Sequence, residues 1–313
     1  MNTENFLWVE KYRPKTIEEC ILPPKLKKTF QEMVDSGQCQ NLLLSGGGGC
    51  GKTTVAKALC NEMGVDYIMI NCSEDGNIDT LRTKIRNFAS TVSFADKVKV
   101  VILDEFDYSN QQSMQPALRG FIEEFADNCR FILTCNYKNR ILPQLHSRCT
   151  CIDFVFTNDE KMKMCAEFMT RLTEILKAEN IQFEEKIIAK LVMKYSPDFR
   201  RLLNEVQRYS ISGTIDSGIL SDAGDFSIKE VILAMKEKNF AKVRKWVTEN
   251  GHYDSSHIVG KIKLGFDEYF VATSIPTAIL ISNDYQRDAA FVADHEINLS
   301  AYFVKLMMEC EFK

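Results

Sequence analysis

The run Gly46-Gly-Gly-Gly-Cys-Gly51-Lys52-Thr53 fits G-x-x-x-x-G-K-[ST] and stands between an apolar segment, Asn41 to Ser45, and a helix-like one, Thr53 to Met63. Strand, glycine loop and helix in that order constrain the fold, because the turn from a buried strand into a helix aims successive backbone N–H groups at one point. Val55, Leu59 and Met63, at i, i+4 and i+8, give the helix an apolar face. The glycines admit backbone shapes that other residues avoid, and the helix N-terminus adds partial positive charge. Lys52 adds a full charge, and Thr53 offers a hydroxyl to Mg²⁺. The plain alternative is a flexible glycine-rich loop before a core helix.

A second constellation follows. Val98 to Asp107 reads VKVVILDEFD, an apolar strand ending in Asp104-Glu105. In phosphate-loop enzymes a carboxylate at the end of a neighbouring strand can hold Mg²⁺, and a second one can polarise the attacking water. Asp104 is assigned to the metal and Glu105 to the water. Phe131 to Asn136 (FILTCN) is another buried strand with a polar tip; Asn136 either orients the water or the γ-phosphate or is a turn residue.

The 313 residues, 45% of them hydrophobic, suggest two or three domains with sizeable cores. The N-terminal MNTENF is too polar for a secretory signal and no apolar run reaches membrane-spanning length, so a cytoplasmic site of action is expected. The eleven cysteines are dispersed, with only Cys149 and Cys151 close together and no C-x-x-C pair, which favours reduced thiols over disulfides or zinc. A net charge of −4 carries no global signal for nucleic acid, so DNA contact has to rest on a local basic face or on oligomerisation.

Short apolar runs alternate with helical patterns up to residue 157, as in an α/β domain with a largely parallel sheet. The expected strands are Leu42–Leu44, Tyr67–Asn71, Val98–Leu103, Arg130–Thr134 and Cys151–Phe154. From Thr157, which with Glu160 resembles a capping box, the pattern is helical to the end apart from loops. A Gly/Ser/Asp-rich break at Ile211 to Asp225 sets the expected domains at 1–157, 158–225 and 226–313.

Trp8-Val-Glu-Lys-Tyr-Arg-Pro14, the glycine loop, DEFD, TCN, Ser147-Arg148-Cys149 and Asp198-Phe-Arg200-Arg201 stand in the order seen in AAA+ ATPases of the sliding-clamp-loader family. Over residues 6 to about 205 the chain resembles the small, ATP-hydrolysing subunit of a bacteriophage clamp loader and is similar to small subunits of replication factor C. The resemblance implies an AAA+ nucleotide domain, a helical lid and a helical collar for oligomerisation. It places Lys11, Tyr12, Arg13 and Ile21 near adenine and ribose, and Gly49, Cys50, Gly51, Lys52, Thr53 and Thr54 around the phosphates of ATP. Asn136 becomes a polar sensor, Arg200 a lid arginine that reports the γ-phosphate, and Arg148 an arginine finger reaching into the next subunit. Isolated arginines carry no such meaning by themselves. Two positions depart from the family pattern: Phe106 replaces a small residue in the acidic box, and Pro197 stands where glycine usually precedes Asp-x-Arg-Arg.

Ile78, Leu81, Ile85 and Phe88 form an apolar stripe, with Arg82 and Arg86 as i, i+4 neighbours and Lys84 off the stripe. A solvated face is the ordinary reading of these cations. In the family this helix lines a spiral of subunits around primer–template duplex, so Arg82, Lys84 and Arg86 are DNA-backbone candidates. Gln115 and Arg119 resemble residues of a helix linking the ATP site to DNA and clamp. Pro116 suits that helix if Ser113 is its N-cap and bends it if the helix begins at Asn110. The function expected on the resemblance is ATP-driven clamp loading: ATP orders a pentameric ring containing copies of this chain and a distinct subunit, the ring grips an opened clamp, and primer–template DNA triggers hydrolysis and release. The rivals are a non-hydrolysing scaffold subunit and a branch-migration or helicase motor.

Overall fold

The computed structural model describes residues 7–74, 78–91, 98–211, 213–215, 219, 228–250, 255–289 and 291–313. Two short N-terminal helices, Trp8–Lys11 (α1) and Pro24–Ser36 (α2), precede five strands: Leu42–Gly46 (β1), Tyr67–Asn71 (β2), Lys99–Asp104 (β3), Cys129–Cys135 (β4) and Thr150–Phe154 (β5). Each strand lies within two residues of its expected run. All pair in parallel, in the order β2-β3-β4-β1-β5, so the chain must cross over between strands. The crossovers are the helices Lys52–Met63 (α3), Ile78–Ser90 (α4), Met114–Glu124 (α5) and the short Pro143–His146 (α6).

Strand side chains alternate between the two sheet faces, and both faces are covered, which is why these strands read as continuous apolar runs. Leu43, Val101, Leu103, Phe131 and Leu133 pack on one face with Ile85, Leu118 and Phe121. Leu42, Leu44, Val100, Ile102 and Ile132 pack on the other with Phe30, Val55 and Leu59. Truncating any of the fully buried leucines to alanine costs about 2–5 kcal/mol. On α4, Ile85 and Ala89 are buried whereas Arg82, Lys84 and Arg86 are exposed. The side chains of Ile78 and Leu81, expected on the same stripe, lie outside the described residues.

The lid follows without a break. Thr157 caps Asn158–Ala178 (α7): its backbone N–H donates to Glu160 Oε2 at 2.8 Å and its hydroxyl accepts from the Glu160 N–H at 3.3 Å, the reciprocal capping pair. Glu185–Tyr195 (α8) and Phe199–Ser210 (α9) complete it around Leu172, Leu191 and Leu202. The region from 158 is not purely helical as expected, since Gln182–Phe183 (β6) and Thr214–Ile215 (β7) form a short parallel pair. That pair buries Ile215 and satisfies backbone groups of segments too short to show a period of their own.

The chain divides into two compact units, 1–223 and 224–313. In the second, helices Ile228–Lys236, Phe240–Asn250, Ser255–Leu264, Ile275–Ala289 and His295–Glu309 enclose Trp246, Phe270, Tyr302 and Phe303. Most of the break expected at 211–225 lies outside the described residues. No helix among those described is long and apolar enough to cross a membrane.

Candidate functional site

The carboxyl ends of β1, β3 and β4 converge, and parallel sheets bind ligands at that edge. The turn after β1 is the glycine loop. Gly51, at φ +95°, caps α3 in a backbone shape that a side chain disfavours. Gly49 lies at φ +71°, and a Cβ on it would stand 1.7 Å from Asp198 Oδ1. The loop therefore passes directly under the lid.

Lys52, 8% exposed, donates to Gly46 O at 2.8 Å, Gly47 O at 2.7 Å and Asn136 Oδ1 at 2.9 Å. Its ammonium thus joins the loop floor to the tip of β4. Asp104 Oδ1 accepts from two hydroxyls, Thr53 Oγ1 at 2.7 Å and Thr134 Oγ1 at 2.6 Å. Thr134 in turn accepts from the Glu105 N–H at 3.0 Å. Glu105 has φ +53°, a conformation uncommon outside glycine, which re-aims the chain as it leaves β3. Thr134 escaped the sequence reading although it sits in TCN; a buried hydroxyl two residues before a polar strand tip was the available signal.

One cavity takes in Gly49, Cys50, Gly51, Lys52, Thr53, Thr54, Asp104, Glu105, Thr134 and Asn136, and with them Tyr12, Arg13, Ile21 and Arg200. Cys50 turns its thiol to Gly47 O at 3.1 Å, and burial pushes that thiol up from its ordinary pKa. Arg13 donates to Thr54 Oγ1 at 3.0 Å and pairs with Glu10. The hydrogen bond from Arg13 holds the Glu10 carboxyl below its usual range, and the charges of Arg13, Lys57 and Arg200 add to this. Lys11, the remaining nucleoside candidate, does not line the cavity; its ammonium pairs with Glu179 Oε1 at 2.8 Å, where the hydroxyl of its cavity-lining neighbour Tyr12 also donates.

The lid contributes Phe168 and Arg171, which no motif announced, beside Phe199 of the Asp198-Phe-Arg200-Arg201 segment. Phe168 of α7 and Phe199 of α9 stack at 4.2 Å with ring planes 6° apart, and both line the cavity. Arg171 donates to Glu19 O at 2.7 Å and Tyr12 O at 2.8 Å, tying α7 to the N-terminal segment. A single arginine on an amphipathic helix carries no signal of that contact. Asp198 accepts from the Arg201 N–H at 3.1 Å and caps α9, so the lid helix starts normally beside Pro197 and brings Arg200 to the cavity.

Other candidates lie elsewhere. Arg148 stands outside the cavity and donates to Glu123 Oε1 through Nε at 3.0 Å and Nη2 at 2.6 Å, and to Gln144 O at 2.9 Å. That hydrogen bond and the guanidinium charge hold the Glu123 carboxyl below its usual range. Arg86 pairs with Glu124 at 3.5 Å and lies over the Phe121 ring at 5.8 Å, both on α5. The helix α5 begins at Met114 after Ser113, so Pro116 falls in the first turn, where no intrahelical N–H bond is lost. Gln115, fully buried, donates to Arg140 O at 3.0 Å and accepts from the Leu142 N–H at 2.8 Å, whereas Arg119 is exposed.

Residues 42–157 match the model of the AAA family, ATPases associated with various cellular activities, and residues 160–221 match that of the sliding-clamp-loader large subunit, AAA+ ATPase lid domain. The chain is 37% identical to the sliding-clamp-loader large subunit of Enterobacteria phage T4, over 100% of this chain and 99% of that protein. It is 34% identical to the replication factor C small subunit of Methanococcus maripaludis, covering 68% of each. A Thermotoga maritima RuvB mutant aligns at a TM-score of 0.55 and 15% identity, over 80% of this chain and 85% of that one, a likeness of fold alone. The phage relative is named a large subunit and the archaeal one a small subunit, and this chain is similar to both. With its phosphate loop, acidic strand end and lid in one cavity, the chain belongs to the sliding-clamp-loader family of AAA+ ATPases.

Proposed function

We propose that this chain is the ATP-hydrolysing subunit of a phage clamp loader, acting in a pentameric ring with further copies of itself and a distinct loader subunit. The reading is carried by one observation: Lys52, Asn136, Thr53, Asp104, Glu105 and the lid residue Arg200 line a single cavity. In it, backbone N–H groups of the glycine loop and the Lys52 ammonium bind the β- and γ-phosphates. Glu105 accepts the proton of the attacking water, and Asn136 orients that water or the γ-phosphate. Thr53 Oγ1 and Asp104 Oδ1, 2.7 Å apart, are hard oxygen donors of the kind that hold Mg²⁺. Bound there with ATP, Mg²⁺ would neutralise charge on the phosphates. Tyr12, Arg13 and Ile21 face the nucleoside end, and Arg200 reports the γ-phosphate to the lid.

Arg148, outside its own cavity, acts on the ATP of the adjacent subunit. Arg82, Lys84 and Arg86 follow the DNA backbone, and Gln115 and Arg119 couple that contact to the ATP site. ATP binding orders a ring that grips an opened sliding clamp, and primer–template DNA triggers hydrolysis and release of the closed clamp. The three-domain division at 157 and 225, with 226–313 as the oligomerisation collar, and a cytoplasmic site in the infected host belong to the same proposal. Co-purification with a sliding clamp in a non-hydrolysable ATP analogue, followed by ATP turnover with and without primed DNA, tests it. Clamp capture independent of nucleotide, or turnover indifferent to DNA, would reject it.

A further inference from the structure

The residue after Asn136, Tyr137, donates its backbone N–H to Asp107 Oδ2 at 3.1 Å. The next, Lys138, donates its ammonium to both oxygens of Asp153, at 2.9 and 3.1 Å. Asp107 belongs to the turn after β3 and Asp153 to β5, so the two carboxylates hold the tip of β4 from opposite sides. Asp153 also accepts from the hydroxyl of Ser45, the buried β1 residue just before the glycine loop. One carboxylate therefore joins the strand that starts the phosphate loop to the segment that follows Asn136.

Asp107 is 5% exposed, and its Oδ1 has no hydrogen-bond partner among the described residues. A buried carboxylate with one backbone bond is a costly way to pack a turn. An apolar side chain would fill the space without that cost but would leave the Tyr137 N–H unpaired. Neither carboxylate lines the nucleotide cavity.

We propose that Asp107 and Asp153 are positioning residues for ATP hydrolysis, holding the 136–138 turn so that the Asn136 amide stays within hydrogen-bond reach of Lys52. The inference rests on the reading of Asn136 as a group of the hydrolysis site. Because they act through Asn136, their loss changes the chemical step and leaves nucleotide affinity nearly intact.

The test is a cycle of single-turnover ATP hydrolysis and ATP-analogue binding on the full chain assembled with its partner subunits. Asp107→Ala and Asp153→Ala should each slow hydrolysis about tenfold while affinity changes less than about twofold. Asp107→Asn, which keeps an acceptor for the Tyr137 N–H, should recover the rate to within about threefold. In an Asn136→Ala background neither alanine change should slow hydrolysis further. Full additivity in that background, or equal loss of rate and affinity, would overturn the positioning role and leave the site reading standing. Asn136→Ala without any loss of rate would overturn both. Asp153→Ala, at a half-exposed position, decides the matter if Asp107→Ala does not fold.

Discussion

The ammonium of Lys52 lies 2.9 Å from the amide oxygen of Asn136, so the phosphate loop and the tip of β4 meet at one charge across 84 residues of chain. A phosphate entering the loop competes with the Gly46 and Gly47 carbonyls and with Asn136 for the same three ammonium protons.

Lys52→Ala removes the loop's own ammonium and should weaken ATP binding by about 10- to 150-fold, the worth of a charge-assisted hydrogen bond of roughly 1.5–3 kcal/mol. Glu105→Gln keeps shape but not charge. It should hold ATP and clamp with hydrolysis slowed about a hundredfold or more. Equilibrium binding and single-turnover rates separate the two, and an equal loss of affinity in both variants would contradict these roles.

Gly49→Ala places a methyl group against Asp198, the cap of the lid helix, in a left-handed conformation that costs about 1–2 kcal/mol for other residues. Gly48→Ala meets nothing within 4 Å. The first should lower both thermal stability and ATP turnover; the second should stay within about 0.5 kcal/mol of the parent. Melting curves and turnover that do not distinguish the two would mean that the lid does not rest on the loop in solution.

Arg82→Ala with Arg86→Ala should reduce DNA-stimulated ATPase more than the basal rate. Each lost phosphate contact should also flatten the logarithmic salt dependence of DNA binding by about 0.9. Arg86 already pairs with Glu124, so its share includes breaking an exposed ion pair of at most about 1 kcal/mol. An unchanged slope with the fold intact would return both arginines to a solvated face.

Arg148→Ala should leave ATP binding by the isolated subunit nearly unchanged and sharply lower turnover in the assembly, since a finger supplied in trans is worth up to about 10³–10⁵ in related phosphoryl transfers. Mixing decides it: subunits lacking Arg148 but keeping Lys52 should regain turnover beside Lys52→Ala subunits that keep Arg148. Assembled mixtures no more active than either variant alone would refute the trans assignment.

Hydrogen bonds from Ser45 and then Lys138 hold the Asp153 carboxyl below its usual range, with burial opposing them. A carboxyl depressed in the folded state stabilises it above the ordinary carboxylate pKa and loses that contribution as pH falls through the folded value. Screened at this half-exposed site, the contribution is about 0.2–1 kcal/mol. Urea unfolding of Asp153→Asn against the parent should show that gap at pH 7, and the gap should shrink below about pH 4. A gap that widens in acid would reverse the sign assigned here.

The strands, the glycine loop and the acidic strand end were legible in the sequence because each is a local pattern. Runs such as Leu42–Leu44 and Val100–Leu103 declare burial on both faces, and Gly51-Lys52-Thr53 encodes its turn and charge within consecutive residues. The α7 cap was legible for the same reason, as Thr157 and Glu160 are one helical turn apart. Tertiary structure alone decided the sheet order that sets β1 between β4 and β5, and with it the meeting of Ser45, Asp153 and Lys138. It also drew Lys11 away to Glu179, brought Thr134 to Asp104, and laid Phe168, Arg171 and Asp198 over the loop. Those contacts join residues about 15 to 170 positions apart, and no local period encodes a partner chosen by how two buried faces pack.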